Sequence, residues 1–161
     1  MSTPNIGQAV PDFTALTTDE TPLVFSALRG HPVVIYFYPK DSTPGCTQEG
    51  QDFNALLPQF QALACNILGV SRDSLKSHQS FRSKQNFGFH LVSDSEETLC
   101  ALFDVIRMKN LYGKQVRGIE RSTFLIDGNG ILIAEWRKLS VKGHAQNVLE
   151  TLREYVATPP G

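Results

Sequence analysis

The chain reads as short apolar blocks separated by polar or proline-rich breaks, and the period within each block names its element. Val33 to Tyr38 is an unbroken β-branched and aromatic run, which predicts a strand buried on both faces and closed by Pro39. From Pro44 onward Phe53, Leu56, Leu57 and Phe60 recur at helical spacing, predicting a helix with a kink at Pro58. Asn66 to Ser71 predicts the next strand, and Asp73 and Ser74 are N-cap residues for a helix running to about Gln85. Phe89 to Val92 predicts a short strand. Ser93 to Glu97 then offer caps and acidic residues to a helix holding Leu99, Leu102 and Phe103. The stretch 107–118 is polar with two glycines and predicts a loop. Ser122 to Asp127 and Ile131 to Trp136 predict strands joined by Gly128-Asn129-Gly130, a hairpin signal. His144 to Val156 predicts a last amphipathic helix, and the tail Thr158 to Gly161 predicts fraying.

The first 30 residues, rich in Thr and Pro, predict short strands or loops covering an edge. Behind them the order is β-α-β-α-β-α-β-β-α. Such alternation predicts an α/β protein with a central mixed β-sheet flanked by helices, and the order is compatible with a thioredoxin-like fold carrying an insertion and an N-terminal β extension. The 161 residues suit one domain, 1–161, able to bury its own core. Fifteen basic against sixteen acidic residues leave a charge of −1, which argues against a nucleic-acid partner. No apolar run approaches the ~18–20 residues that span a bilayer, and the first ten residues carry no signal-peptide pattern. Three cysteines, Cys46, Cys65 and Cys100, are too few and too odd for a disulfide scaffold. A cytoplasmic protein with reduced thiols is expected.

Candidate chemistry lies in Tyr38-Pro39-Lys40-Asp41-Ser42-Thr43-Pro44-Gly45-Cys46-Thr47. A buried strand ends, a tight loop follows, and a cysteine begins a helix. That puts Cys46 at the carboxyl end of a central strand, where open α/β sheets build their sites. It also puts the sulfur near free N–H groups at the positive end of a helix dipole, which favours thiolate over thiol. Pro39, Thr43, Pro44 and Gly45 read as residues that shape a pocket around it. The bland alternative is a core cysteine in a first helical turn. No Cys-x-x-Cys pair is present, which disfavours thioredoxin-style disulfide exchange.

The spacing Pro39-x-x-x-Thr43-x-x-Cys46 resembles the active-site signature of the peroxiredoxins. The longer strings YPKDSTPGCTQE and KNLYGKQVRGIERSTFLID resemble the bacterioferritin comigratory protein, or peroxiredoxin Q, subfamily, over nearly the whole chain. The resemblance implies a thioredoxin-like fold, reduction of hydrogen peroxide and organic hydroperoxides by a cysteine, and no metal, haem or flavin. It implies Cys46 as the peroxidatic cysteine, which becomes a sulfenic acid. It implies Thr43 as the hydroxyl that bonds the peroxide or thiolate, Pro39 as a shield against water, and Arg121 as the cation holding the thiolate and the peroxide oxygens. Glu49, on the first turns of the same helix, is a supporting residue that can pair with Arg121 or cap the dipole. Glu120 is the bland alternative partner for Arg121. Likeness to the family also suggests a monomer.

The chain departs from the subfamily where a second cysteine would reduce the sulfenic acid. Gln51 stands on the helix of Cys46, and Arg82 and Ser83 stand on the next helix, where other members carry that cysteine. Cys65 begins the following strand, ~25 Å along a helix rising ~1.5 Å per residue, whereas a disulfide needs Cα atoms within ~7 Å. It reads as core. Cys100, on a helix that follows a strand, is the possible resolving partner, through a Cys46–Cys100 disulfide that needs local unfolding. The preferred expectation is an external thiol: thioredoxin, glutaredoxin or glutathione.

His31, His78, His90 and His144 are scattered without metal-ligand spacing, so no metal is expected. Tyr36, Phe37 and Tyr38 read as core, with Tyr38 at the pocket edge. Lys109, Lys114 and Arg117 make the 107–118 stretch locally basic. A redox sensor or interaction module without turnover is the alternative function, separable by turnover with peroxide plus a thiol.

Overall fold

The computed structural model describes residues 3–157, so the tail Thr158 to Gly161 lies outside the described residues. Its frame is a seven-stranded mixed sheet. The central strand β3 (Val33–Phe37) is the predicted apolar run, and all five of its residues are buried. Parallel to it lies β4 (Asn66–Ser71), and parallel to that β5 (His90–Ser93). On the other side of β3 the antiparallel β8 (Ser122–Ile126) is followed by β9 (Leu132–Arg137). At the far edge β1 (Thr14–Thr17) pairs antiparallel with β5 and β2 (Pro22–Val24) with β1, so the N-terminal segment extends the sheet at its edge.

Because strand side chains alternate, the two faces of β3 seed two cores. One holds Val33, Ile35, Phe37, Phe103 and Phe124; the other holds Val34, Tyr36, Tyr38, Phe53 and Leu149. The helices α1 (Pro44–Ala55), α2 (Leu57–Ala62), α3 (Leu75–Gln85) and α5 (His144–Ala157) contribute to the second face, and α4 (Thr98–Leu102) covers the first. In α3 the side chain of Ser74 accepts from the Ser77 amide, as an N-cap should. Among the described residues no helix is long and apolar enough to cross a membrane.

Three expectations need correction. The predicted kink at Pro58 is a break: α1 ends at Ala55 and Pro58 falls in the first turn of α2, where its missing N–H costs nothing. The helix after Ser93 is Thr98–Leu102, with Phe103 its C-cap and not a member, while the expected capping holds, Asp94 accepting from the Leu99 and Cys100 amides. The stretch 107–118 is not a loop but a hairpin of β6 (Ile106–Leu111) and β7 (Lys114–Ile119). Most of its residues are exposed, so no buried face imposes the apolar alternation that marks a strand. Its turn is Tyr112-Gly113, both at positive φ, the conformation that a tight two-residue hairpin turn requires.

Candidate active site

The site forms where β3 ends. Tyr38 still donates its amide to the Val70 carbonyl, and Pro39, with no N–H to give, then releases the chain from the ladder. The loop passes through Ser42, whose left-handed φ of 63° makes the tight reversal, to Thr43 at the N-cap of α1. Pro44 takes the first helical position, where its fixed φ fits, and Cys46 is the third residue of the helix. Apart from Pro44, which has no N–H, the first-turn amides have no acceptor within their own helix, so Cys46 stands at the positive end of the helix dipole. Cys46 is only 2% exposed.

Sheet register delivers the second half of the site from far along the chain. Phe37 pairs with Ser122 across β3 and β8, so the residue before β8, Arg121, arrives beside the loop that follows β3. Its Nη2 donates to Cys46 Sγ at 3.4 Å and its Nη1 to Glu49 Oε1 at 2.6 Å. Glu49 is 1% exposed and its Oε2 has no partner. Burial pushes the Glu49 carboxyl up to about 7, against the pull of Arg121. For Arg121 burial works against the charge, and Glu49 with Cys46 outweighs it, so the guanidinium stays protonated. Gly45 eases this approach: a Cβ there would stand 3.2 Å from Arg121 Nη2, a tight contact.

Thr43 is half-buried, and its hydroxyl donates to the Lys40 carbonyl at 2.8 Å. Its lone pairs are left to accept from a hydroxyl brought into the pocket. Pro39 is half-buried, while Pro44 and Gly45 are exposed at the mouth. Arg121 pairs with Glu49 and not with its neighbour Glu120. An open depression of about 500 Å³ adjoins Arg121, bounded by Met108 and Lys109 of β6 and by Lys138 and Leu139. A second cavity, of about 240 Å³, lies at the other end of the sheet beside Cys65 and is remote from this chemistry.

The other two cysteines stand apart. Cys46 belongs to the core on one face of the sheet and Cys100 to the core on the other. Burial pushes the Cys65 thiol up to about 12. Burial, then the hydrogen bond and charge of Asp94, push the Cys100 thiol higher still. Both are poor nucleophiles in the folded protein.

Sequence reading passed over a polar cluster under the loop. Tyr38 Oη donates to Asp41 Oδ1 at 2.6 Å, and His78 Nδ1 meets Asp41 Oδ2 at 2.7 Å. Asp41, Asp73 and His78 bring potential ligand atoms within 4.8 Å of one another, though these atoms are engaged in hydrogen bonds with the protein. His144 was also passed over. Its Nε2 lies 2.7 Å from Thr123 Oγ1, and burial, then the charge of Arg121, lowers it to about 4. Neither histidine is marked by spacing, because each partner comes from another element.

A strained loop, a buried thiol at a helix start and a guanidinium on its sulfur suit displacement on a peroxide oxygen, since the same donors face the charge that develops there. Comparison with known proteins agrees. The pattern of the AhpC/TSA family matches residues 6–135. The chain is similar to Peroxiredoxin Bcp of Xanthomonas campestris, 60% identical over 135 residues covering 84% of each chain. It is also similar to Peroxiredoxin Bcp of Bacillus subtilis, 46% identical over 149 residues covering 92% of this chain and 95% of that one. Among solved structures, a trapped-intermediate and ligand complex of Xanthomonas campestris bacterioferritin comigratory protein, described in terms of its alkyl peroxide reduction activity, superposes with a TM-score of 0.87 at 53% identity, covering 96% of this chain and 98% of that one. A Xylella fastidiosa PrxQ mutant superposes at 0.91 with 46% identity, covering 97% and 99%. The chain belongs to the AhpC/TSA family, in its Bcp peroxiredoxin branch, and is a thiol-dependent peroxidase with a thioredoxin-like fold.

Proposed function

We propose that Cys46 takes the peroxide oxygen and that an external thiol then reduces the resulting sulfenic acid. The observation that carries this is the single guanidinium of Arg121 bridging Cys46 Sγ and the buried Glu49. The Cys46 thiolate attacks one oxygen of ROOH, the O–O bond breaks, and RO⁻ leaves. Sulfur is oxidised by two electrons to a sulfenic acid, and RO⁻ takes a proton to leave as alcohol, or as water when R is hydrogen. Arg121 and the first-turn amides stabilise the charge that passes from sulfur to the leaving oxygen. Thr43 accepts the peroxide O–H, and Pro39 limits water at the sulfur. Hydrogen peroxide and organic hydroperoxides are the substrate class. The open depression beside Arg121 leaves room for an organic substituent.

One thiol then attacks the sulfenic sulfur and releases water, and a second thiol cleaves the mixed disulfide. Thioredoxin, glutaredoxin or glutathione supplies both. The placement of Cys100 on the opposite face of the sheet favours this over a Cys46–Cys100 disulfide. We read the protein as one domain over 1–161, cytoplasmic and monomeric. The odd count of three cysteines, all free, supports a reducing compartment.

The test is peroxide consumption with each thiol donor in the wild type, Cys46→Ser and Cys100→Ser. Cys46→Ser abolishes turnover and Cys100→Ser leaves it unchanged. Loss of turnover in Cys100→Ser replaces the external thiol by the internal disulfide. A single oxidation without turnover replaces the enzyme by a sensor.

A further inference from the structure

Residues 106–119 carry four cations and no acid, in a chain whose net charge is −1. They form the β6–β7 ribbon, which pairs with no strand of the main sheet. The ribbon is firmly rooted. Ile119 is wholly buried, the Glu120 amide donates to the Val105 carbonyl at 2.7 Å, and Arg117 is ion-paired to Glu97. Beyond that root its tip is apolar and bare: Leu111 is 54% and Tyr112 97% exposed. A contiguous apolar patch on an exposed element marks an interaction surface. Directly opposed residues share a face of a ribbon. Lys109 stands opposite Val116 and Leu111 opposite Lys114, so the outer part of one face presents two apolar and two cationic side chains. That face leads to the reactive end of the molecule, because Lys109 lines the same depression as Arg121, which Lys138 also lines. Lys109, Lys114 and Lys138 have no salt-bridge partner among the described residues.

We propose that this face is the docking surface for a protein thiol donor whose reactive thiol is flanked by an apolar patch and carboxylates. This rests on the reading that an external thiol reduces the Cys46 sulfenic acid. The donor's first thiol forms an S–S bond with Cys46 as water leaves. Its second thiol breaks that bond, leaving Cys46 reduced and the donor oxidised to a disulfide. The ribbon touches no reacting atom; it holds the donor beside them. Three features select this occupant. The unpaired lysines attract carboxylates and repel a second copy of the same face, which a two-fold dimer would set against itself. The face continues from the tip to the Arg121 depression, where a donor thiol has to arrive, whereas a bilayer would meet the tip alone. A ribbon about 20 Å long offers the small contact of a transient redox encounter, under about 1,200 Å².

The experiment compares reduction of the sulfenic protein by thioredoxin, recycled by its reductase and NADPH, with reduction by dithiothreitol, and follows peroxide attack by stopped flow. The double variant Leu111→Thr with Tyr112→Asn removes the apolar tip and keeps the ribbon, since Thr suits a strand and Asn-Gly is the preferred pair for this turn. It should lower the rate with thioredoxin about tenfold, the loss that marks an anchoring interface residue. Lys114→Glu should lower that rate severalfold and flatten its dependence on salt. Both variants should keep the dithiothreitol and peroxide rates within about twofold of wild type, since neither touches the reacting atoms. Equal slowing with both donors would overturn the proposal. So would thioredoxin rates unchanged in both variants, or a wild type reduced no faster by thioredoxin than by dithiothreitol at equal thiol concentration. Sedimentation with phosphatidylglycerol vesicles, or a concentration-dependent dimer, either of them lost in the double variant, would overturn it by giving the face to a lipid or to a second copy. A wild-type protein that forms no sulfenic acid at Cys46 would instead remove the reading beneath it.

Discussion

Arg121→Lys separates the charge of the guanidinium from its shape. Arg121 makes two contacts at once, 2.6 Å to Glu49 and 3.4 Å to Cys46, from a side chain that is 17% exposed. A lysine ammonium is one compact charge and cannot span both. Glu49, 1% exposed, should claim it, because a buried charge left without its partner costs about 3–5 kcal/mol. Cys46 then keeps a nearby positive charge but loses the directed donor. One such donor on developing charge is worth ~2.7–4 kcal/mol, or about 10²–10³ in rate. The second-order rate of Cys46 oxidation, measured by stopped flow, should fall by about that factor, while the thermal midpoint moves only a few degrees. A rate within threefold of wild type would refute the argument from geometry, leaving charge alone as the requirement.

Further outcomes follow from other contacts. Gly45→Ala places a methyl 3.2 Å from Arg121 Nη2, so it should slow peroxide attack severalfold with little change in the urea midpoint; an unchanged rate means Arg121 has room to spare. Glu49 and His144 should tilt stability with pH in opposite directions. Glu49, raised from 4.5 to about 7, binds more protons folded than unfolded, so its contribution is lost as pH rises through 7. His144, lowered from 6.5 to about 4, refuses a proton that the unfolded chain accepts, so stability is lost as pH falls from about 6.5 to 4. Denaturant midpoints from pH 7 to 4.5 should therefore fall more steeply in Glu49→Gln than in wild type and less steeply in His144→Gln; equal slopes in all three would contradict both assignments. In native protein at pH 7, iodoacetamide should label Cys46 before Cys65 or Cys100, since burial raises the thiols of the latter two. Labelling of Cys100 at a similar rate would show that its face of the sheet opens.

What could be read from the chain was whatever one element carries by itself. The run Val33–Phe37 declares a central strand because every position is apolar, and Pro39 to Cys46 declares its loop and helix start through residues with fixed backbone habits. The β6–β7 hairpin stayed hidden because burial, the source of strand periodicity, is missing from it, leaving only Tyr112-Gly113 as a signal. Arg121 was named through its motif. Its pairing with Glu49 depends on the register of Phe37 against Ser122, which no local pattern encodes. The Asp41–His78 contact spans 37 positions and joins a loop to a helix, so histidine spacing could not reveal it.

The most direct test of the account is the intact and peptide mass of reduced protein treated with one equivalent of hydrogen peroxide, with dimedone present to trap sulfenic acid. The account predicts one dimedone adduct, on Cys46, with Cys65 and Cys100 recovered as free thiols. Loss of two hydrogens with Cys46 joined to Cys100 would contradict resolution by an external thiol, and an unmodified Cys46 would contradict the assignment of the reacting sulfur itself.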